Sequence, residues 1–311
     1  MKKTIILSAI TFFVLIGITS CTKEGVFNPE KKLSKTCYQS DNMDEKKIAE
    51  VYTWSGKLLT DIRDRDGYII QEYEYNNKKQ LVKIRFSSDE YIEFSYKNSK
   101  LKSATVNFYG KVFAKVDYVH SENKITEATV YVPQNEFNGA PKQDKMTKAF
   151  LSLGFSEKMT KKLLSQLANV SLQKTSSSKD DFIRYIIISF EWDEKNISKQ
   201  IFKYADEIKG KLSWENAEGF RLETSYSYDK KQNPYYGFFG FIGDAYLFEV
   251  RTLSYNNITS QKETYFNYDV IDDEYIYNYN YEYEDDFPVK RTHTYFYDNV
   301  TSQFHLFYEY R

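Results

Sequence analysis

Tyr68-Ile-Ile-Gln-Glu-Tyr-Glu-Tyr75, then the polar run Asn76-Asn-Lys-Lys79, then Leu81: on this stretch the reading of the fold turns. Side chains alternate with period two and are rich in Tyr and Ile, as in a half-buried strand. The Asn/Lys run suits a turn, because Asn tolerates positive φ. Glu90-Tyr-Ile-Glu-Phe-Ser-Tyr96 and Val112-Phe-Ala-Lys-Val-Asp-Tyr118 repeat the pattern, with turns at Asp66-Gly67, Gly110-Lys111 and Ser121-Glu122-Asn123. Trp54, Tyr75, Tyr96 and Tyr118 recur at spacings of 21, 21 and 22, each followed after a polar turn by an aliphatic residue: Leu58, Leu81, Leu101 and Ile125. Trp192 and Trp214 are again 22 apart, with Ile197 after the first. A period near 21 fits two strands of about eight residues and two turns, so the array reads as an antiparallel meander of hairpins. Tyr255/Ile258, Tyr283/Val289 and Tyr297/Val300 are less regular copies.

The expected fold class is therefore mainly β, a large antiparallel meander forming a strongly curved sheet or barrel. Residues 144–172 interrupt it. Met146, Phe150, Leu153, Met159, Leu163, Leu167 and Val170 recur at helical spacing, split by Gly154 and Ser156, which predicts a short two-helix insertion.

Composition excludes several classes. Of 311 residues, 18% are aromatic, yet there are 12 Gly, 5 Pro, 2 Cys and 3 His. The chain is not collagen-like, not Gly/Pro-rich disorder and not a disulfide scaffold. A net charge of −1 offers no general field for nucleic acid, and no nucleic-acid partner is expected.

At the N-terminus, Lys2 and Lys3 precede an apolar run from Ile5 to Ile18, too short for a membrane span and right for a signal peptide. Ile18-Thr19-Ser20-Cys21 resembles a bacterial lipobox. That resemblance implies cleavage after Ser20, lipidation of Cys21 and a partner membrane reached through the N-terminal lipid. The expected organisation is a signal peptide over 1–20, a lipidated Cys and flexible tether over 21–46, and a β-domain over 47–311. Thr22 in place of Asp points to the outer membrane, and Lys23-Glu24 resembles a surface-export signal, so an outer-membrane, surface-exposed lipoprotein is the expected localisation. Cys37 is left without a disulfide partner and reads as a small residue of the tether rather than a catalytic thiol.

No catalytic or metal motif is present: no G-x-S-x-G, H-E-x-x-H, C-x-x-C, P-loop or G-x-G-x-x-G. No catalytic residue, metal site or cofactor is assigned. Asp61-Ile-Arg-Asp-Arg-Asp66-Gly67 fails the spacing of a calcium loop and reads as a turn. The acid pairs Asp180-Asp181, Asp272-Asp273 and Asp285-Asp286 read as solvated turns.

Two aromatic features are candidate ligand-binding sites. Tyr275, Tyr277, Tyr279, Tyr281 and Tyr283 share one strand face as a row about 26 Å long. They could stack on an extended ligand, or simply cover cross-strand neighbours. In Asn233-Pro-Tyr-Tyr-Gly-Phe-Phe-Gly-Phe241, the rings of Tyr235, Tyr236, Phe238 and Phe239 stand in a loop that is either a binding tip or a plug folded back on the sheet.

Tyr73-Glu-Tyr-Asn-Asn-Lys-Lys-Gln-Leu81 and Tyr281-Glu-Tyr-Glu-Asp-Asp-Phe-Pro-Val289 resemble the tyrosine–aspartate repeats of large bacterial shell proteins. More closely, the lipobox, the Asn233-Pro234 loop, Asn256-Asn-Ile-Thr259 and Tyr308-Glu-Tyr310 resemble a group of Bacteroidota lipoproteins of unknown function with a Tyr-rich, porin-like β-domain. The resemblance implies a fold and a place and carries no catalytic residue. Charged strands favour a soluble barrel over a lipid-embedded one. The leading expectation is a non-enzymatic envelope lipoprotein binding a glycan, lipid or protein. A secreted glycan-acting hydrolase and a structural spacer or shell are the rival readings.

Overall fold

The computed structural model describes residues 24–108, 110–133, 182–204, 206–208, 211–213, 220–238, 250–297 and 300–311. Its strands are β1 (Leu33–Ser40), β2 (Lys47–Ser55), β3 (Leu58–Arg63), β4 (Ile69–Tyr75), β5 (Leu81–Arg85) and β6 (Tyr91–Lys97). They continue as β7 (Lys100–Phe108), β8 (Lys111–Ser121), β9 (Lys124–Pro133), β10 (Phe182–Asp193), β11 (Asn196–Tyr204), β12 (Asp206–Ile208) and β13 (Lys211–Ser213). After β14 (Phe220–Gln232) comes one helical turn, α1 (Val250–Leu253), then β15 (Asn256–Asn267), β16 (Val270–Glu284), β17 (Phe287–Tyr297) and β18 (Val300–Tyr310). Sixteen of these strands form a closed antiparallel barrel, and β12 pairs only with β13. The two expected helices over 144–172 lie outside the described residues.

Closure falls on a segment expected to be tether. Residues 33–40 form β1, which pairs with β18 on one side and β2 on the other. The domain thus begins well before residue 47. Leu33, Thr36 and Cys37 are buried, and β1 supplies what an edge needs: a partner for β18's free backbone groups.

The 21-residue repeat has a mechanical meaning. β2, β4, β6, β10, β14, β16 and β18 all run toward the same end. Near that end each carries an aromatic residue whose donor meets a backbone carbonyl of the preceding strand. The bonds are Trp54 Nε1 to Leu33 O at 2.7 Å, Tyr75 OH to Leu59 O at 2.8 Å, and Tyr96 OH to Leu81 O at 2.7 Å. Trp192 Nε1 to Ile125 O at 2.8 Å, Tyr228 OH to Ile197 O at 2.6 Å, Tyr281 OH to Ile258 O at 3.0 Å, and Tyr310 OH to Pro288 O at 2.8 Å complete the set. A register shift beside each turn leaves ladder groups unpaired. The aromatic clasp satisfies those carbonyls and ties each hairpin to its predecessor at the end where the chain does not connect them. Leu59, not Leu58, is the aliphatic member of the first hairpin, and Tyr228, Tyr281 and Tyr310 replace Tyr255, Tyr283 and Tyr297 in the later ones. The turns accept left-handed residues, among them Gly56, Lys79, Asn98 and Asp285.

Alternation sorts the two faces. Among the inward residues of β3 to β11 are nearly sealed aliphatic ones: Ile62, Ile84, Ile92, Val106, Val116, Val130 and Ile188 are at most 1% exposed. Small and large side chains oppose each other here, Ala104 with Val116 and Val106 with Ala114. Outward residues are charged and pair across strands, as Lys83–Glu93 at 2.9 Å, Arg85–Glu74 at 2.6 Å, Lys199–Glu223 at 2.6 Å, Lys262–Glu274 at 2.7 Å and Lys290–Glu282 at 2.7 Å. A lipid-facing barrel carries the opposite pattern, an outward apolar band. The described outer wall carries charge instead.

Candidate functional site at the strapped mouth

The end that carries the clasps is closed by two segments. The first is a strap, residues 24–32. Leu81 N donates to Gly25 O at 2.8 Å, Gln80 Nε2 to Glu24 O at 3.1 Å, and Leu101 N to the Glu24 carboxylate at 2.5 Å. His120 Nε2 lies 3.0 Å from the same carboxylate. The strap thus takes N–H groups that the hairpin bulges set free. Gly25 has φ +75°, and a Cβ there would collide with the hydroxyl of Tyr96, so only glycine lets the strap cross the clasp.

The second segment is the loop after β14. Asn233 Oδ1 accepts Tyr235 N at 3.0 Å, Pro234 takes the second position of the turn, and Tyr236 N returns to Asn233 O at 3.3 Å. Asn233 Nδ2 donates to Arg251 O and to Ser254 O, which pins the loop against α1. Gly237 supplies φ +81° and its N–H reaches Thr252 O at 2.8 Å. The turn drives its aromatics inward. Phe238 packs edge-on against Phe27 of the strap at 4.9 Å and against Tyr73 at 5.7 Å, and Tyr235 meets Tyr308 at 6.1 Å. Tyr235 and Phe238 are each 2% exposed, so both belong to a plug rather than an exposed tip. Phe239 lies outside the described residues.

Between strap and loop lies a cavity of about 690 Å³. Trp192 and Ile125 form its floor beside Leu253, and Tyr236 and Tyr255 stand as an edge-to-face pair 5.3 Å apart. Lys32, Lys57 and Lys124 stand at the lining, with Lys124 Nζ 5.5 Å from the centre of the Trp192 ring. The lining carboxylates are Glu24 and Glu30, and Glu24 is engaged by Leu101 and His120. Such a volume holds a small ligand with an apolar body and an anionic group.

The Tyr row faces the barrel interior, opposite Gln261 and Glu263 on β15 and His293 and Arg291 on β17, and Tyr275 meets the Tyr265 ring edge-on at 5.8 Å. Its members serve different ends. Tyr281 is a clasp and Tyr283 OH donates to the Asp229 carboxylate. Tyr277 and Tyr279 flank the His293 ring at 5.8 and 5.0 Å. Tyr275, toward the opposite end, is 38% exposed. Burial first, then the neighbouring Tyr308, pushes the hydroxyl of Tyr281 well above its ordinary pKa, against the lowering pull of Arg291 and Arg251.

Other candidates resolve simply. Cys37 is buried in β1, and burial followed by the Glu309 carboxylate pushes its thiol pKa up, away from a nucleophilic thiolate. Asp64 Oδ1 caps the β3–β4 turn by accepting Asp66 N and Tyr68 N, both at 2.9 Å. Asp285 and Asp286 form a turn, whereas Asp272 and Asp273 lie within β16. Among the described residues, no three His, Cys, Asp or Glu side chains converge as a metal site.

This chain is similar in fold to a porin-like protein from Bacteroides vulgatus. Identity is 12%, the match covers 91% of this chain and 99% of that one, and the TM-score is 0.47. The TcdB2–TccC3–Cdc42 complex matches at 10% identity over 86% of this chain and 13% of that one, with a TM-score of 0.31, and the TcdB2–TccC3 structure at 11%, 88% and 13%, with 0.30. No protein-family model and no curated protein sequence matches the chain.

Proposed function

We propose that the protein is an envelope lipoprotein, lipidated at Cys21, whose water-facing barrel binds a small anionic amphiphile in the cavity at its strapped mouth. The cavity carries this reading: about 690 Å³ bounded by the rings of Trp192, Tyr236 and Tyr255 and by three lysines. The charged outer wall supports a role outside the lipid core, and the lipobox supplies the membrane link. A two-carboxylate hydrolase needs an acid and a base free to act across a cleft. Here Glu24 holds the strap in place instead. The expected ligand combines an apolar body for the rings with an acidic group for Lys32, Lys57 and Lys124.

Titration with 1-anilinonaphthalene-8-sulfonate tests the site, since that probe has both features. Saturable binding that weakens several-fold in Tyr236→Ala and in Lys124→Ala, with the circular dichroism of the barrel unchanged, is the expected result. Binding indifferent to both changes removes the cavity from the account. Radiolabelled palmitate incorporation, lost in Cys21→Ala, tests the lipidation.

A further inference from the structure

We propose that the barrel stands on its own anchored leaflet with the strapped mouth downward, so that this end is a docking surface for a phosphate-bearing lipid layer. The proposal rests on the lipidation of Cys21 stated above.

Chain length forces the orientation. Glu24 is fixed on the barrel by Gln80, Leu101 and His120. Only Thr22 and Lys23 separate it from Cys21. Three Cα–Cα steps span at most ~11 Å. Whatever path those residues take, the lipidated cysteine stays within about that distance of the mouth. The opposite end cannot reach the same surface: β2 alone, with 9 residues, is about 30 Å long. A flexible tether of the kind expected over 21–46 would have left the barrel free to tumble. Docking of the strap and the use of 33–40 as a barrel strand remove that freedom.

Charge agrees independently. The described segments that join strands at the strapped mouth, with the strap and Arg311, hold eight basic and six acidic residues. Those at the opposite end hold two basic and eight acidic ones. The net values are +2 and −6. At the mouth, Asp286 also pairs with Lys231, a β14 residue outside that count, at 2.5 Å. An anionic leaflet repels the opposite end and accepts the mouth.

The test uses the full lipidated chain in vesicles of phosphatidylcholine and phosphatidylglycerol that contain a headgroup nitroxide lipid. A fluorophore is placed on Asn77→Cys, in the exposed β4–β5 turn at the mouth, or on Asp44→Cys, in the exposed β1–β2 turn at the other end, both in a Cys37→Ser background. Quenching of the Asn77 label at least threefold stronger than that of the Asp44 label is expected. The contrast should persist in 0.5 M salt, where charge is screened, and collapse when a 20-residue Gly/Ser spacer is inserted between Lys23 and Glu24. Equal quenching at the two positions, or stronger quenching at Asp44, in protein that carries palmitate overturns the orientation and leaves the lipoprotein reading intact. Absence of palmitate overturns the lipoprotein reading and the orientation with it.

Discussion

Replacing Tyr75 by Phe removes one hydroxyl and nothing else. That hydroxyl donates to Leu59 O at 2.8 Å, and Leu59 is fully buried. The deletion forfeits a hydrogen bond worth roughly 0.5–1.5 kcal/mol and strands a carbonyl at a bulge, a group costing about 1–3 kcal/mol when left unsatisfied. Some relaxation around the turn offsets part of this, so a loss of about 1–2 kcal/mol is expected. The right control is Tyr68→Phe, whose ring is 73% exposed and whose hydroxyl already meets water, and it should shift stability by less than about 0.5 kcal/mol. Equilibrium unfolding in urea, with the slope unchanged between variants, reads the difference as a shift in midpoint. Because the clasp recurs, Tyr228→Phe should cost a similar amount, and its effect should add to that of Tyr75→Phe, since β4 and β14 share no contact in the barrel order. If Tyr75→Phe is as harmless as Tyr68→Phe, the aromatic repeat is not a device for holding hairpins together and the argument built on it fails.

Gly25→Ala should undock the strap, because a Cβ meets the Tyr96 hydroxyl at a φ of +75°. Hydrogen exchange at the Leu81 amide, which donates to Gly25 O, should accelerate at least tenfold while exchange in β16 stays unchanged. In alkali the barrel should resist and then fail cooperatively. Among the described residues, burial first of all raises the hydroxyl pKa of twelve tyrosines, including Tyr52, Tyr73, Tyr118, Tyr204, Tyr235 and Tyr310. A group whose folded pKa exceeds its unfolded value of ~10 contributes fully below pH ~10 and loses that contribution as pH rises further. Absorbance at 295 nm should therefore show these tyrosines ionising together with loss of circular dichroism, and ionisation well before unfolding would contradict their burial. Lys83→Ala should change stability by less than about 1 kcal/mol, as expected of a surface pair with Glu93 at 2.9 Å, measured by the same urea midpoint.

The period of Trp54, Tyr75, Tyr96 and Tyr118 was legible because a hairpin repeats its chemistry where its geometry repeats, and local alternation is a strictly local property. Closure was not legible. Leu33–Ser40 reads as polar and Lys-rich, and its role as β1 depends on β18, some 270 residues away, so no window of sequence contains the reason. The strap escaped for the same cause: Glu24 and Gly25 acquire meaning only from Leu81, Leu101 and Tyr96, which the fold brings to them. In the later repeats the aromatic surplus of β16 offered several equivalent tyrosines, and sequence could not choose Tyr281 over Tyr283 as the clasp. The loop at Asn233 was readable as a plug or a tip. What decided it was the aromatic company at the mouth, Phe27 and Tyr73, whose convergence on Phe238 is a tertiary fact.

The barrel's two faces bear on how it meets a membrane. An antiparallel barrel of sixteen strands has the backbone economy that lets such structures cross lipid, since every edge is paired. What distinguishes this wall from a lipid-facing one is side-chain parity. Exchanging inward Ile84 and Ile92 with outward Lys83 and Glu93 in thought would yield a lipid-facing wall on the same ladder, because a one-residue change of register moves every side chain to the other face. With charge fixed outside, the lipidation of Cys21 proposed above would make the strap, which leads directly to Cys21, the point of membrane attachment. The bonds that hold the strap to the mouth are therefore also the bonds through which any pull from an anchored N-terminus would reach the barrel. They attach at Gln80, Leu101 and His120, beside the clasps of Tyr75 and Tyr96, where neighbouring hairpins are already cross-tied. A strap held by a single hairpin would transmit that load to one turn; held by three, it spreads the load over β5, β7 and β8.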